Sequence, residues 1–135
     1  MKLVIYTDGA SRGNPGPASY GFIISDENGK LLHEEGRCIG RTTNNVAEYT
    51  AVLEALKHAK EEFGSRASLV TVFADSKLVA EQLSGRYKIK AKHLKPIIEQ
   101  IQILSLELGG VVFKHVARSK NTLADKLANL ALDSH

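Results

Sequence analysis

The chain has 135 residues, 43% of them hydrophobic, which suits one buried core and leads to the expectation of a single domain over residues 1–135. One cysteine, Cys38, excludes an intrachain disulfide and a cysteine-based zinc site, and the opening MKLVIYTDG fits neither a signal peptide nor a membrane span. With a net charge of +3, the chain is compatible with nucleic acid without requiring it, and the bland expectation is a cytoplasmic protein that stays off membranes.

Residues 2–7 (KLVIYT) read as a buried strand of β-branched and aromatic residues, ended by Asp8-Gly9. GASRGNPGP is turn chemistry throughout, and strands follow over 20–25 and about 30–39, joined at Glu27-Asn28-Gly29 by a hairpin signal. From Val46 to about Glu62 the period becomes helical, with Val46, Ala47, Ala51, Val52, Ala55, Leu56 and Ala59 on one stripe and Gly64 as the stop. SLVTVFA (68–74) is a continuous apolar strand of the kind covered on both faces. A short helix over 76–83 precedes a longer one marked by Leu94, Ile97, Ile98, Ile101, Leu104 and Leu108, in which Pro96 is tolerable only in the first turn. Val111–Val116 forms the last strand. Residues 122 to about 132 form the last helix, with Leu123, Leu127, Leu130 and Ala131 expected inward. The order βββαβααβα implies an α/β domain: a five-stranded mixed sheet with helices on both faces.

Four acids occupy the ends of these elements: Asp8 and Asp75 after apolar strands, Glu48 and Asp125 in the first turns of apolar helices. Each has an ordinary explanation. Asp8-Gly9 opens a turn, Asp75 caps the helix that begins at Ser76, and Asn45–Glu48 and Thr122–Asp125 both fit capping boxes. Against this, Glu48 shares a helical face with Ala51, Val52, Ala55 and Ala59, and Asp8 continues the face of Val4 and Tyr6. If the fold joins these ends, the carboxylates repel one another unless cations occupy the site. Hard oxygen ligands open to solvent suit magnesium. Two such ions about 3.5–4 Å apart serve in-line displacement at phosphorus, so phosphodiester hydrolysis is the matching chemistry. Between Arg86 and Lys95 the run RYKIKAKHLK is basic without an acid in sequence, which fits a solvated face as well as a phosphate contact.

The blocks TDGASRGNPGPASYGF, TTNNVAEYTAVLEAL, FADSKLV and HVARSKNTLADKLA, in that order, resemble the type 1 ribonuclease H family across essentially the whole chain. The resemblance implies the ribonuclease H-like fold and hydrolysis of the RNA strand of RNA–DNA hybrids to 5′-phosphate and 3′-hydroxyl ends. It also implies magnesium, with manganese as substitute, as two ions in the substrate complex. The metal-binding acids carry over to Asp8, Glu48, Asp75 and Asp125. Minor-groove contacts carry over to Asn14, Asn44 and Asn45, beside Ser11 and Thr43 as backbone contacts and Lys77 as a polar groove residue. An asparagine offers donor and acceptor without adding charge, and the 2′-hydroxyl is what separates RNA from DNA.

The spacing of the family's auxiliary histidine falls on His115, while Arg118 is a second candidate for holding the scissile phosphate or product. Many members carry a lysine- and tryptophan-rich protrusion. Here only GRYKIKAKHLKP stands in its place, so Arg86, Tyr87, Lys88, Lys90, Lys92 and Lys95 form a reduced substrate handle with Tyr87 against the DNA sugars. Duplex RNA is left open as a further substrate, and nothing requires more than a monomer. The rival reading is a non-catalytic module that binds RNA–DNA hybrids or double-stranded RNA. The intact quartet argues against it, because a binder gains by losing negative charge beside phosphates.

Overall fold

Five strands and four helices carry the chain in the computed structural model, which describes residues 1–88 and 91–134; Lys90 of the basic run lies outside the described residues. They are β1 (Lys2–Ser11), β2 (Gly16–Asp26), β3 (Leu31–Thr42), α1 (Asn44–Phe63), β4 (Leu69–Ala74), α2 (Lys77–Leu83), α3 (Lys95–Glu107), β5 (Val111–His115) and α4 (Thr122–Asp133). One mixed sheet runs β3-β2-β1-β4-β5, antiparallel from β3 to β1 and parallel from β1 through β4 to β5. Pro96 falls at the start of α3, where its missing N–H costs nothing. Among the described residues no helix is long and apolar enough to cross a membrane.

The Gly-rich segment departs from its turn chemistry. β1 continues through Gly9, Ala10 and Ser11, which pair with Tyr20, Ser19 and Ala18, so the turn shrinks to Arg12–Pro15 and closes with Arg12 N–H donating to the Pro17 carbonyl at 2.9 Å. Ladder pairing along β2 outweighs the local preference of Asp-Gly for a bend. The 27–29 hairpin holds as expected: Asp26 Oδ1 accepts from the Asn28 and Lys30 amides at 2.9 Å each, and Gly29 takes φ 82°, which a side chain would resist.

The two faces of the sheet are covered differently. Leu3, Ile5, Phe22, Ile24, Val70 and Val72 pack with Leu56 of α1 and Ile98 and Ile101 of α3 in one core, and all of these are at most 1% exposed. Each such burial is worth about 1.5–3 kcal/mol. α4 covers the opposite face at very short range. A Cβ on Gly21 would lie 2.4 Å from the Ala124 carbonyl oxygen, and one on Gly36 would lie 2.5 Å from that of Leu127. The Ser19 hydroxyl donates to Ala128 O at 2.6 Å.

Only small side chains fit so close an approach, and this rotates α4 away from the phase that its leucines suggest. Ala124, Ala128 and Leu132 are buried, whereas Leu123 is 63% and Leu130 48% exposed, which corrects the inward assignment of those two leucines. Leu127 and Ala131 are half-buried.

Between β3 and α1 the rings of His33 and His58 stack at 3.6 Å, next to Phe22 and to Glu35, which accepts from the Tyr20 hydroxyl at 2.6 Å. Burial first, and the charge of His33 second, hold the His58 imidazole below its ordinary 6.5, with Glu62, Glu35 and Glu61 opposing. The unfolded chain therefore binds more protons than the folded one as pH falls below 6.5, and stability drops with acidity in that range. Replacing His58 with Phe is expected to flatten the fall in urea midpoint between pH 7 and 5. An unchanged slope would remove His58 as its source.

Candidate active site

β1 and β4 run parallel side by side, with Thr7 opposite Ala74, so the next residue of each, Asp8 and Asp75, leaves the carboxyl end of the sheet at one level. Carboxyl ends of strands at a change of direction in strand order are where α/β sheets place ligands. Asp8 is 8% exposed and faces the α4 side with Tyr6, which stacks on Phe73 at 4.9 Å. Glu48 arrives from the other face. A Cβ on Gly9 would stand 2.3 Å from the Glu48 amide nitrogen, so the glycine is what lets the first turn of α1 close over the end of β1. Asp125, in the first turn of α4, comes within hydrogen-bonding reach of Asp8. All four acids converge.

The ordinary explanations give way at three of them. α1 is capped by Thr43, whose hydroxyl accepts from the Val46 amide at 3.2 Å, so Glu48 is not the closing residue of an Asn45 capping box. Instead its Oε1 accepts from Asn44 Nδ2 at 3.2 Å. α2 is capped by Ser76, not Asp75, and Asn121 stands at the cap position of α4, one residue before Thr122. In each case the cap lies one or two residues from the position that the spacing suggests, Thr43 for Asn45, Ser76 for Asp75 and Asn121 for Thr122, and the acid's oxygens are left for the cleft.

That cleft is lined by Thr7, Asp8, Glu48, Ala74, Asp75 and Ser76 and encloses about 10 Å³, roughly one water-sized sphere. Burial, then the charge of Asp75 and a hydrogen bond with Asp125, push the Asp8 carboxyl up to about 8. Burial and Asp75 push Glu48 up to about 7, although the Ser76 hydroxyl, Asn44 and the positive charge of Arg118 oppose the shift. Hard oxygen donors bearing more negative charge than the site tolerates suit a divalent cation such as magnesium or manganese. Among the described residues no three such side chains already surround one point. Water and phosphate oxygens would complete the shell, the usual state for magnesium.

The flanking residues fall into place unevenly. Asn14 Oδ1 accepts from the Asn44 backbone amide at 3.0 Å, which ties the turn after β1 to the start of α1 beside the N-cap Thr43. Ser11 ends β1 next to them. Asn45 is exposed and opens a groove of about 540 Å³ lined with Leu78, Gln82, Arg86, Tyr87, Lys88, Ala91 and Leu94. Tyr87, 48% exposed, sits in that groove, while Lys77 is exposed on the first turn of α2. Arg86 is less free than the sequence implies, because Glu81, one turn back on α2, pairs with it at 3.2 Å.

His115 is exposed at the end of β5, opposite Ala74, and Arg118 is exposed on the 3-10 turn Arg118–Lys120. Of the two, Arg118 is the one whose charge acts on Glu48. Sequence reasoning missed Ser76, which both caps α2 and bonds to Glu48, and Asn121, whose amide donates to Asp75 Oδ2 at 2.9 Å. A serine directly after a strand-end aspartate was the available signal for the first; nothing local marks the second.

Because the folded chain holds protons on Asp8 that the unfolded chain releases above about 3.8, metal-free stability falls as pH rises from there toward 8. In chelator, Asp8→Asn is expected to melt roughly 5 °C or more above the parent at pH 8 and by a clearly smaller margin at pH 5. Equal melting at both pH values would contradict charge crowding at Asp8.

The Reverse transcriptase-like family model matches residues 6–131. The bifunctional protein Rv2228c of Mycobacterium tuberculosis is 44% identical over 135 residues, which cover 99% of this chain and 36% of that protein. Ribonuclease HI of Halobacterium salinarum is 41% identical over 128 residues, 95% of this chain and 63% of its own length. The chain thus spans about a third of the mycobacterial relative and somewhat under two thirds of the archaeal one. Among solved structures, LC11-RNase H1 in complex with an RNA/DNA hybrid superposes with a TM-score of 0.94 at 44% identity, covering 98% of both chains. With sheet order, acid quartet and relatives in agreement, the chain belongs to the type 1 ribonuclease H family.

Proposed function

We propose that this protein hydrolyses the RNA strand of RNA–DNA hybrids without strong base specificity, leaving 5′-phosphate and 3′-hydroxyl ends. The observation that carries the proposal is the convergence of Asp8, Glu48, Asp75 and Asp125 at the ends of β1 and β4, directly beside the Asn14–Asn44 link. The hybrid bound to the similar LC11 enzyme supports the same substrate class. Two magnesium or manganese ions, once bound, would activate a water and stabilise the leaving oxygen. The four carboxylates would hold them, with Asn44 and Ser76 fixing Glu48 by hydrogen bonds.

Asn14, Asn44 and Asn45 meet base edges and 2′-hydroxyls with neutral donors and acceptors, so reading the minor groove adds no charge beside the ions. Tyr87 and Lys88 line the groove that leads away from Asn45 and take the DNA strand. Arg118, whose charge offsets that of Glu48, is the group for engaging the scissile phosphate. His115, at the exposed end of β5, is the group for proton transfer or product release. The reading includes action in the cytoplasm as a monomer, and it leaves duplex RNA open as a further substrate, to be measured on the same panel.

Labelled RNA–DNA hybrid, duplex DNA, duplex RNA and single-stranded RNA, each incubated with magnesium, manganese or chelator, test this reading. Hybrid cleavage that requires metal is the expected result; metal-independent cleavage, or none on the hybrid, sinks it. Asp75→Asn is expected to abolish turnover, by about 10³-fold or more on the scale of a lost charge-stabilising group. Arg118→Ala is expected to slow turnover more than His115→Ala, and the reverse order would exchange their roles. Lys88→Ala should weaken hybrid binding evenly across sequences and reduce the salt slope by about 1.

A further inference from the structure

Asn121, at 1% exposed, is more deeply buried than Thr7 or Asp8 beside it, and its amide is committed on one side only. Nδ2 donates to the Thr7 carbonyl at 2.9 Å and to Asp75 Oδ2 at 2.9 Å. Oδ1 is buried with no hydrogen-bond partner, the sole such side-chain atom among the described residues. The Asn121 backbone carbonyl accepts from the Asp125 amide at 3.2 Å. One residue therefore touches the peptide unit before Asp8, the carboxylate of Asp75 and the helical turn that carries Asp125.

The orientation of the amide is forced. Turning it over would set Oδ1 against two acceptors and strand both N–H donors, which is worse than one unpaired carbonyl. Asn121 also stands at the N-cap of α4, where an asparagine ordinarily accepts from an amide of the first turn, yet its side chain makes no cap bond. Local stability of α4 and the pairing of a buried oxygen are both given up, and the bonds to β1 and Asp75 are what is gained.

We infer that Asn121 is a positioning residue for metal binding: it fixes the Asp75 carboxylate through Oδ2, leaves Oδ1 of Asp75 for an ion, and locks the β1 end and α4 to it. This rests on the metal-dependent reading of the site above. Outer hydrogen-bond partners of metal ligands characteristically change affinity by about 10- to 100-fold when lost.

Asn121→Ser separates the two roles of the position, because a serine hydroxyl caps a helix well but does not span the distance to Asp75. The expected result is a melting temperature in chelator equal to or above the parent, manganese affinity by calorimetry lower by about 10-fold or more, and a matching rise in the metal concentration for half-maximal hybrid cleavage. In the metal-free protein the Asp75 carboxyl carbon resonance should move while that of Asp133, paired with Arg12 elsewhere, stays fixed. Asn121→Ala, which removes the donor without adding a charge, serves if the serine variant does not fold, with the same expectation for manganese affinity and the Asp75 signal.

Parent-like manganese affinity together with an unmoved Asp75 signal in a folded variant overturns the inference. So does a variant that only melts lower and keeps the parent's metal dependence. If the parent itself binds manganese but cleaves no hybrid, the proposed substrate fails while the positioning role is still decided by affinity and resonance.

Discussion

Carboxylates brought together in a nearly dry cleft repel one another, and the fold exists around that cost. Asp8 is 8% exposed with its carboxyl pushed up to about 8, and Glu48 follows at about 7, so the protein without cations holds protons that free side chains would have released. Such crowding persists only if the surrounding structure is rigid enough to prevent the acids from turning out to water. Parallel pairing of β1 with β4 sets Asp8 and Asp75 at one level, and the missing side chain at Gly9 lets α1 seat Glu48 above them. The close bed of α4 on Gly21 and Gly36 brings Asp125 in from the other face. Each is a steric provision for an electrostatic liability.

The same reasoning explains why α4 packs through alanines and leaves leucines in water. Burying Leu123 and Leu130 would remove more apolar surface, at about 25 cal/mol per Å². It would also lift the helix off the sheet by the thickness of those side chains and draw Asp125 away from Asp8. Instead Ala124 and Ala128 meet Gly21, and the Ser19 hydroxyl bonds to the Ala128 carbonyl at 2.6 Å. Proximity of the acid takes precedence over burial of the leucines.

Much of this was legible from residue pattern. Period-two and period-3.6 apolar repeats placed every strand and helix to within a few residues, and the order of elements implied the mixed sheet. What the pattern misjudged was set by partners distant in sequence. β1 extends past Asp8-Gly9 because β2 offers a ladder there, and α4 turns its leucines outward because β2 and β3 present glycines. The capping boxes at Glu48 and Asp125 failed for a related reason. The spacing rule is satisfied by four consecutive residues, but Thr43 and Asn121 begin their helices earlier, and only the folded chain reveals which residue stands at the cap. Glu81 beside Arg86 shows the same limit for charge: five residues apart, they become an ion pair only once α2 ends and the chain turns back.

Charge distribution is the remaining constraint, since a site that concentrates negative charge must still receive a polyanion. The groove leading away from Asn45 separates the two requirements in space: it is lined largely by apolar groups, with Lys88 making no ion pair among the described residues and Arg86 partly neutralised by Glu81. Near the acids themselves the polar groups are neutral, Asn14, Thr43, Asn44 and Ser76, apart from Arg118. A lysine in place of Asn44 would form an internal ion pair with Glu48 and lower the drive to take up cations. An amide at that position fixes the carboxylate without neutralising it, and so keeps the site dependent on ions for its charge balance.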